Sequence, residues 1–190
     1  ANGTAGFQGT PQDSIALTPD GSRVFYGPLA AIEIHSLDAG KLRDLLHGTS
    51  DQYPSHKVAD TVINHGEKSA PSDGMTFSCE GHLLYGGLTT ASVYAWTAAL
   101  LDENKENYPP VKHETVVAHD AEKMNWPDTF AWDGAGGLWY TPNHLDQYFE
   151  APHAWQVNIY RTTGGWKGGY QQGDCRAARA DAPRAYIHTP

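Results

Sequence analysis

Long apolar runs and basic residues are both scarce in this sequence of 190 residues. No stretch reaches the roughly 20 consecutive apolar residues of a membrane-spanning helix, so we expect no helical span. The 22 Asp and Glu residues outnumber the 13 Lys and Arg residues, and the formal net charge is −9. Because a surface of this sign repels phosphate backbones and anionic lipids, the charge argues against a nucleic acid or a membrane as the partner.

Cysteine is nearly absent as well. Cys79 and Cys175 are too few for a disulfide scaffold, and they lack the CxxC spacing of a zinc or redox site. One long-range disulfide and two buried free thiols are both compatible with this pair. The basic and apolar segments of a signal peptide do not follow Ala1, so we expect the sequence to begin inside a processed or truncated product. Asn2 opens an Asn-Gly-Thr sequon, which suits a glycosylated, secreted protein.

Three segments of the sequence repeat one order of features. Each has an Asp before a short apolar strand, then a glycine-containing turn, then a second strand that is rich in aromatic residues. A third run with a period of two follows each segment, and this period indicates strands rather than helices. The segments are QDSIALTPDGSRVFYGPL from Gln12, SDGMTFSCEGHLLYGGL from Ser72 and PDTFAWDGAGGLWYTPN from Pro127, and the third runs are Ile32–His35, Ser92–Trp96 and Gln156–Tyr160.

Strand, tight turn, strand, loop and strand, repeated at intervals of about 55–60 residues, are typical of the blades of a β-propeller. We therefore predict an all-β fold in which residues 1–163 form about three propeller blades. The predicted inner strands of consecutive blades start at Ile15, Met75 and Phe130. Residues 164–190 are rich in glycine and are predicted to form a flexible tail.

Two insertions lengthen the predicted repeat. The segment Leu42–Ser55 begins with a helical pattern, and Ala98–Pro110 is predicted to be an exposed loop because it is polar and contains paired prolines. Three blades cannot close a ring, since propellers have about four to eight. An open array leaves sheet edges and apolar faces exposed. We therefore expect a partner that completes the ring, either an N-terminal fragment of the same precursor or a second copy of this chain.

The motifs DSIALTPDGSRVFYGPL, SDGMTF and NWPDTFAWDGAGGLWYTPNHL resemble those of the yellow/major royal jelly proteins, over about Phe7–Tyr160. The resemblance implies a complete six-bladed propeller of which this chain carries the final blades, and it implies a secreted, extracellular protein. It also implies that Thr129 and Asn143 contribute to an amine-binding pocket, as the corresponding residues do in salivary members of the family. Leu145 departs from the family pattern, which has an aromatic residue at that position.

The Asp of each repeat precedes an inner strand, where the mouth of the propeller channel is expected. Asp13, Asp73 and Asp128 could therefore hold a calcium ion or attract a cationic amine. The structural alternative is that each Asp caps its own turn by accepting backbone N–H groups. Asn143 occupies a repeat position at which the other two segments have an apolar residue, Leu29 and Leu88. A buried amide needs a hydrogen-bond partner. We expect that partner to be a ligand or an ordered water.

These features predict a secreted β-propeller that binds a small aromatic or amine ligand at the channel mouth through Asp73, Asp128, Thr129 and Asn143. An enzyme is the first alternative: the family resemblance offers dopachrome-type tautomerisation, for which Asp73, Asp128 and His144 are the candidate proton carriers. The motifs SDGM and WPDT also resemble those of calcium-dependent lactonases. A storage or structural role is the remaining alternative.

Overall fold

The structure is a computed structural model, and it describes residues 12–48, 55–97, 114–143, 145, 158–163, 168 and 175. Its described elements are eleven strands and two short helices. No helix among these residues has the length and apolar character that a membrane crossing requires. The strands are β1 (Gln12–Leu17), β2 (Arg23–Pro28), β3 (Glu33–Asp38), β4 (Ile63–Glu67), β5 (Met75–Phe77), β6 (His82–Gly87), β7 (Ser92–Thr97), β8 (Glu114–His119), β9 (Pro127–Trp132), β10 (Gly137–Pro142) and β11 (Tyr160–Thr163), and the helices are α1 (Ala39–His47) and α2 (His56–Ala59).

The strands form three separate antiparallel sheets that follow one another along the chain. Strands β1 to β4 form blade 1, β5 to β8 form blade 2, and β9 to β11 form blade 3. Ile15, Met75 and Phe130 lie in the first strand of their blades, and β5 contacts both β1 and β9. The predicted all-β architecture of about three propeller blades, with these three inner strands in consecutive blades, is confirmed.

The turn between the first two strands of each blade depends on glycine. Gly21, Gly81 and Gly136 occupy equivalent positions and have φ values of 71°, 87° and 82°. A side chain is strained in this left-handed region, whereas glycine enters it freely. The repeated turn therefore fixes the hairpin with which each blade begins.

The later parts of each blade follow the sequence prediction less closely. The predicted strand at Ser92–Trp96 is β7, and the one at Ile32–His35 is displaced to β3. The helical start of the first insertion is α1, whose N-terminal cap is Asp38: its carboxylate accepts from the backbone N of Lys41 at 2.9 Å. The sequence did not predict β4 and β8, the fourth strands of blades 1 and 2. Residues 98–110 and 156–157 lie outside the described residues.

Two hydrophobic clusters hold the blades together face to face. The first lies between blades 1 and 2, where the Phe25 ring is 5.1 Å from that of Phe77 and 6.0 Å from that of Trp96, in edge-on contacts. The second lies between blades 2 and 3 and includes Leu84 and Leu138. Burial of large aromatic side chains is the main stabilising contribution of such contacts. The blades are therefore joined through the faces of their sheets rather than through shared strands.

A disulfide joins Cys79 in blade 2 to Cys175 in the C-terminal segment, with an S–S distance of 2.03 Å. Nearby, Ser78 forms an isolated antiparallel bridge with Gly168. The two described residues of the segment 164–190, Gly168 and Cys175, are buried. Cys175 is bonded to blade 2, and Gly168 lies against the Trp132 side chain of blade 3. The predicted flexibility of the tail stays a prediction for its other residues, which lie outside the described part of the chain.

Candidate functional site

Three carboxylates lie at the same end of the three inner strands. Asp13 and Asp128 are the second residues of β1 and β9, and Asp73 stands two residues before β5. Because β5 contacts the other two inner strands, their equivalent ends are neighbours. Asp13 is exposed, whereas Asp73 and Asp128 are half-buried. The structure therefore gathers the three aspartates of the repeat into one cluster, which we call the carboxylate cluster.

Trp126 holds the central member of this cluster. Its indole Nε1 donates a hydrogen bond to Oδ2 of Asp73 at 2.7 Å, across the boundary between blades 3 and 2. The Trp126 side chain is buried and its backbone has a φ of 60°, in the left-handed region that bulky residues avoid. Such strain persists only where the surroundings impose it, and it is common at functional sites. The sequence did not single out Trp126.

Burial raises the pKa of Asp73 to about 6. The hydrogen bond from Trp126 opposes this shift, while the negative charges of Asp128 and Asp13 add to it. A side-chain contact with the Asp13 carboxyl group raises the Asp73 pKa as well. Near neutral pH the ionised Asp73 is therefore disfavoured by its burial and by the neighbouring carboxylates, and a cation relieves that repulsion.

Gly74 allows the carboxylates of blades 2 and 3 to approach. A Cβ atom on this residue would lie 1.3 Å from the carbonyl oxygen of Asp128. On Gly86, in the paired strand, a Cβ atom would lie 2.0 Å from the carbonyl oxygen of Pro127. Since atoms cannot overlap to this extent, only glycine permits this distance between the two blades. The lack of a side chain at Gly74 therefore sets the geometry of the carboxylate cluster.

A buried lysine lies beside the loop that carries Asp73. Lys68 Nζ donates to Ser72 Oγ at 2.7 Å, and Ser72 Oγ lies 3.4 Å from Ser14 Oγ in blade 1. Burial lowers the Lys68 pKa to about 8, although the charges of Glu114 and Glu33 partly offset the shift. Because Ser14 follows Asp13 and Ser72 precedes Asp73, this network fixes the placement of two members of the carboxylate cluster. No local pattern in the sequence indicated this network.

Asn143 finds its partners within the protein. Its Nδ2 donates to Oδ2 of Asp128 at 3.1 Å, and its Oδ1 accepts from the backbone N of Leu145 at 2.9 Å. The expectation that a ligand or an ordered water satisfies this amide is therefore wrong, because a carboxylate and a backbone N–H group already do so. A direct ligand contact of Asn143 stays a prediction.

Replacing Asn143 with alanine is expected to lower the free energy of unfolding by about 1–3 kcal/mol. The change removes both hydrogen bonds, one of which is to a charged group. Urea denaturation of the wild type and of Asn143→Ala measures the loss. Asn64→Ala is a matched control, because Asn64 is an exposed amide in β4 that accepts from the backbone N of Gly66. Equal midpoints for Asn143→Ala and wild type would contradict the expectation.

The other residues that the sequence predicted for the site lie either on another face of blade 3 or outside the described part of the chain. Thr129 is exposed, and it lies on the face of blade 3 that also carries Thr141, its neighbour in register. That face is turned away from blade 2. His144 and Asn2 lie outside the described residues. The ligand role of Thr129, the catalytic role of His144 and the glycosylation of Asn2 stay predictions.

Neither half-buried carboxylate caps its own turn within the part of the chain that the structure describes. In the described residues, Asp73 accepts from an indole of the next blade and Asp128 accepts from the Asn143 amide. Within the same residues, no three His, Cys, Asp or Glu side chains are arranged to hold a metal ion. Because calcium takes six to eight oxygen ligands at about 2.3–2.6 Å, the described cluster alone does not fit a calcium site. Calcium binding by Asp13, Asp73 and Asp128 stays a prediction.

No family model and no curated protein matches the sequence. Solved structures with a similar fold include a protein described as a putative gluconolactonase, with 12% identity over 84% of this chain and 47% of that one, at a TM-score of 0.52. A luciferin-regenerating enzyme matches with 13% identity, over 83% of this chain and 46% of that one, at a TM-score of 0.54. A gluconolactonase from Xanthomonas campestris matches with 12% identity, over 80% of this chain and 43% of that one, at a TM-score of 0.52. At these identities the likeness shows the fold, and this chain spans less than half of each structure.

Proposed function

We propose that the chain binds a small cationic amine at the mouth of the propeller channel, with the carboxylate cluster as the recognition element. The observation that carries this proposal is Asp73, a half-buried carboxyl group whose ionised form is disfavoured by burial and by the charges of Asp128 and Asp13. An ammonium group neutralises this charge. It only donates hydrogen bonds, and so it matches carboxylate oxygens, which only accept them. Above pH 6 the ligand therefore offsets the repulsion among the carboxylates, and below it the ligand must displace the proton that Asp73 holds.

Net charge supports the same class of ligand. The formal charge of −9 attracts cations over the whole surface, and the carboxylate cluster strengthens that field locally. Trp126 keeps Asp73 oriented by its indole hydrogen bond, so the carboxylate is preorganised before the ligand arrives. The resemblance to the yellow/major royal jelly proteins, in which an amine pocket is found, points in the same direction.

Secretion forms part of the proposal. A disulfide between Cys79 and Cys175 persists in oxidising compartments and is rare in the cytosol. The Asn2 sequon is compatible with passage through a secretory pathway. These two features support the extracellular location that the family resemblance implies.

The test compares tyramine with 4-ethylphenol, which has the same ring but no ammonium group. Tyramine is expected to bind about tenfold to a hundredfold more tightly, because a hydrogen bond to a charged partner contributes about 1.5–3 kcal/mol. Asp73→Asn should remove most of this difference, and isothermal titration calorimetry measures it. Glu122→Gln is the matched control, since it removes one acidic charge at an exposed position outside the cluster.

The affinity should also depend on pH in a defined direction. Because the pKa of Asp73 is raised to about 6, the carboxyl is protonated below that value and a cation must displace the proton. Tyramine affinity should therefore fall about tenfold for each pH unit below 6 and level off above 7. Equal affinities for tyramine and 4-ethylphenol, or an affinity that Asp73→Asn leaves unchanged, would refute the proposal.

Lactone hydrolysis is the second candidate. A carboxyl with a pKa near 6 is suited to act as a general base close to neutral pH, and Asp73 has that property. Proteins described as gluconolactonases share the fold. The assay is opening of gluconolactone with and without added calcium, and hydrolysis that Asp73→Asn abolishes would favour this candidate over simple binding. Dopachrome-type tautomerisation and storage stay hypotheses without a specific supporting contact.

A further inference from the structure

Lys68 begins a series of hydrogen bonds whose direction is fixed at both ends. Its ammonium group only donates, and it donates to Ser72 Oγ at 2.7 Å. At the other end, Ser14 Oγ donates to the carbonyl oxygen of Gly27 at 3.2 Å, and a carbonyl only accepts. The Ser72 hydroxyl therefore donates to Ser14 Oγ, 3.4 Å away. We call these three side chains and the Gly27 carbonyl the hydrogen-bond relay.

The relay is buried along its whole length. The exposed fraction is 3% for Lys68, 0% for Ser72 and 2% for Ser14. Gly27 leaves just enough room for it, since a Cβ atom on this residue would lie 3.0 Å from Lys68 Nζ and 3.2 Å from Ser14 Oγ. Because the packing is tight and water is excluded, the hydroxyl groups have little freedom to change partners.

Lys68 is held from both blades, although burying its charge is costly. Its backbone N donates to the carbonyl oxygen of Ile32 in blade 1 at 2.7 Å. Its Nζ lies 5.7 Å from the centre of the Tyr85 ring in blade 2, and an aromatic ring attracts a cation. The cost of burial is visible in the pKa of Lys68, which desolvation lowers to about 8. A methionine would fill the same space without that cost, but it would not orient Ser72.

Asp13 lies at an irregularity in its own strand pair. Gln12 is opposite Pro28 and Ser14 is opposite Gly27, so no residue of β2 is opposite Asp13. Such an irregularity redirects a side chain, and the neighbouring residues determine where it points. The next residue is Ser14, whose hydroxyl is part of the relay. The anchoring of Ser14 therefore determines where the Asp13 carboxyl group lies.

The relay connects the residue after Asp13 to the residue before Asp73, across the boundary between blades 1 and 2. Asp73 is also anchored by the Trp126 indole, which Asp13 is not. The charge of Asp13 and its side-chain contact both raise the pKa of Asp73, so the two carboxyl groups are neighbours. The relay therefore sets the separation between these two groups.

We propose that Lys68 is a positioning residue that makes the carboxylate cluster selective for a primary ammonium group. This inference rests on the proposed function. A primary ammonium group donates three hydrogen bonds, and it bonds to two carboxyl groups at once only where their oxygen atoms are held at a suitable separation. A quaternary ammonium group has no N–H group, so charge alone attracts it. Loss of Lys68 should therefore weaken the binding of primary amines and spare quaternary ones.

The test compares tyramine with its N,N,N-trimethyl derivative by isothermal titration calorimetry. The wild type is expected to bind tyramine about tenfold more tightly, in line with an added hydrogen bond to a charged group. Lys68→Met keeps the length of the side chain and removes the donor, so it should reduce this ratio to about one. Lys57→Met is the matched control, because Lys57 is exposed on α2, and it should keep the wild-type ratio. A ratio that Lys68→Met leaves unchanged would overturn the proposal.

A second variant shows whether Lys68 acts through the hydroxyl groups. Ser14→Ala breaks the relay in blade 1 by the loss of one oxygen atom, so it keeps the proposal testable if Lys68→Met does not fold. Alone, it should also lower the ratio of the two affinities. The double variant should be no worse than the more affected single variant, because both changes break the same relay. Additive losses would overturn the proposal.

An NMR titration of the Asp73 carboxyl separates this inference from the proposed function, because it needs no ligand. In Lys68→Met the Asp13 carboxyl should move away, so the pKa of Asp73 should fall below about 6. An unchanged Asp73 pKa would overturn the positioning role. Equal affinities of the wild type for tyramine and 4-ethylphenol would refute the proposed function. A preference for tyramine over 4-ethylphenol, with equal binding of tyramine and its trimethyl derivative, would leave that function standing and overturn the selectivity.

Discussion

Loss of the Cys79–Cys175 disulfide should lower the free energy of unfolding by about 2–5 kcal/mol, a large part of the stability of a small domain. The two cysteines are 96 residues apart in sequence, and a cross-link over such a distance strongly restricts the unfolded chain. It also holds the C-terminal segment against blade 2. Urea denaturation of the wild type with and without reductant measures the effect, as does denaturation of the serine variants.

The serine variants provide an internal control. Cys79→Ser, Cys175→Ser and the double variant all lack the same bond, so they should lose similar amounts of stability, and reductant should not change the midpoint of the double variant. Cys79 and Cys175 are both buried, so each serine adds a small cost of its own. A wild-type midpoint that reductant leaves unchanged would show that the cross-link does not stabilise the fold.

Gly74→Ala is expected to lower the free energy of unfolding by about 3 kcal/mol, at the upper end of what overpacking costs. The added Cβ atom would lie 1.3 Å from the carbonyl oxygen of Asp128, so blades 2 and 3 must separate locally. Separation would also expose Asp73 and move it away from Asp128, so burial and repulsion would both raise its pKa less. Thermal melting measures the first effect, and an NMR titration of the Asp73 carboxyl measures the second.

Thr129→Ala is the matched control for this substitution. Thr129 occupies the equivalent repeat position in blade 3, but its side chain is exposed on the face of that blade that is turned away from blade 2. Its replacement should change the free energy of unfolding by less than about 0.5 kcal/mol. Should Gly74→Ala melt at the wild-type temperature, the close approach of blade 2 to Asp128 would not exist in solution.

The part of the fold that the sequence predicted is the part that local features determine. An alternating strand and a glycine turn are encoded within a few residues, as at Gly21 and Gly81, and the first hairpin of each blade was therefore found. Strands β4 and β8 were missed because they are outer strands with mixed exposure. Such edge strands have little of the hydrophobic alternation by which strands are recognised.

The carboxylate cluster was predicted in membership but not in its contacts. The repeat identified Asp13, Asp73 and Asp128, because the same residue recurs at one position of each blade. The indole donor of Asp73 lies 53 residues away, in another blade, and no local pattern connects the two. Asn143 was correctly identified as an unusual polar residue, but register places Asp128 beside it, which the sequence could not reveal.

The cross-link between Cys79 and Cys175 has a consequence for how the chain responds to proteases. Blade 3 and the last strands of blade 2 lie within the covalent loop that this bond closes. A single cut of the backbone anywhere inside the loop leaves both pieces attached to each other. Nicked molecules would therefore migrate as intact protein until they are reduced, and would keep their two halves at the high effective concentration that reassembly requires.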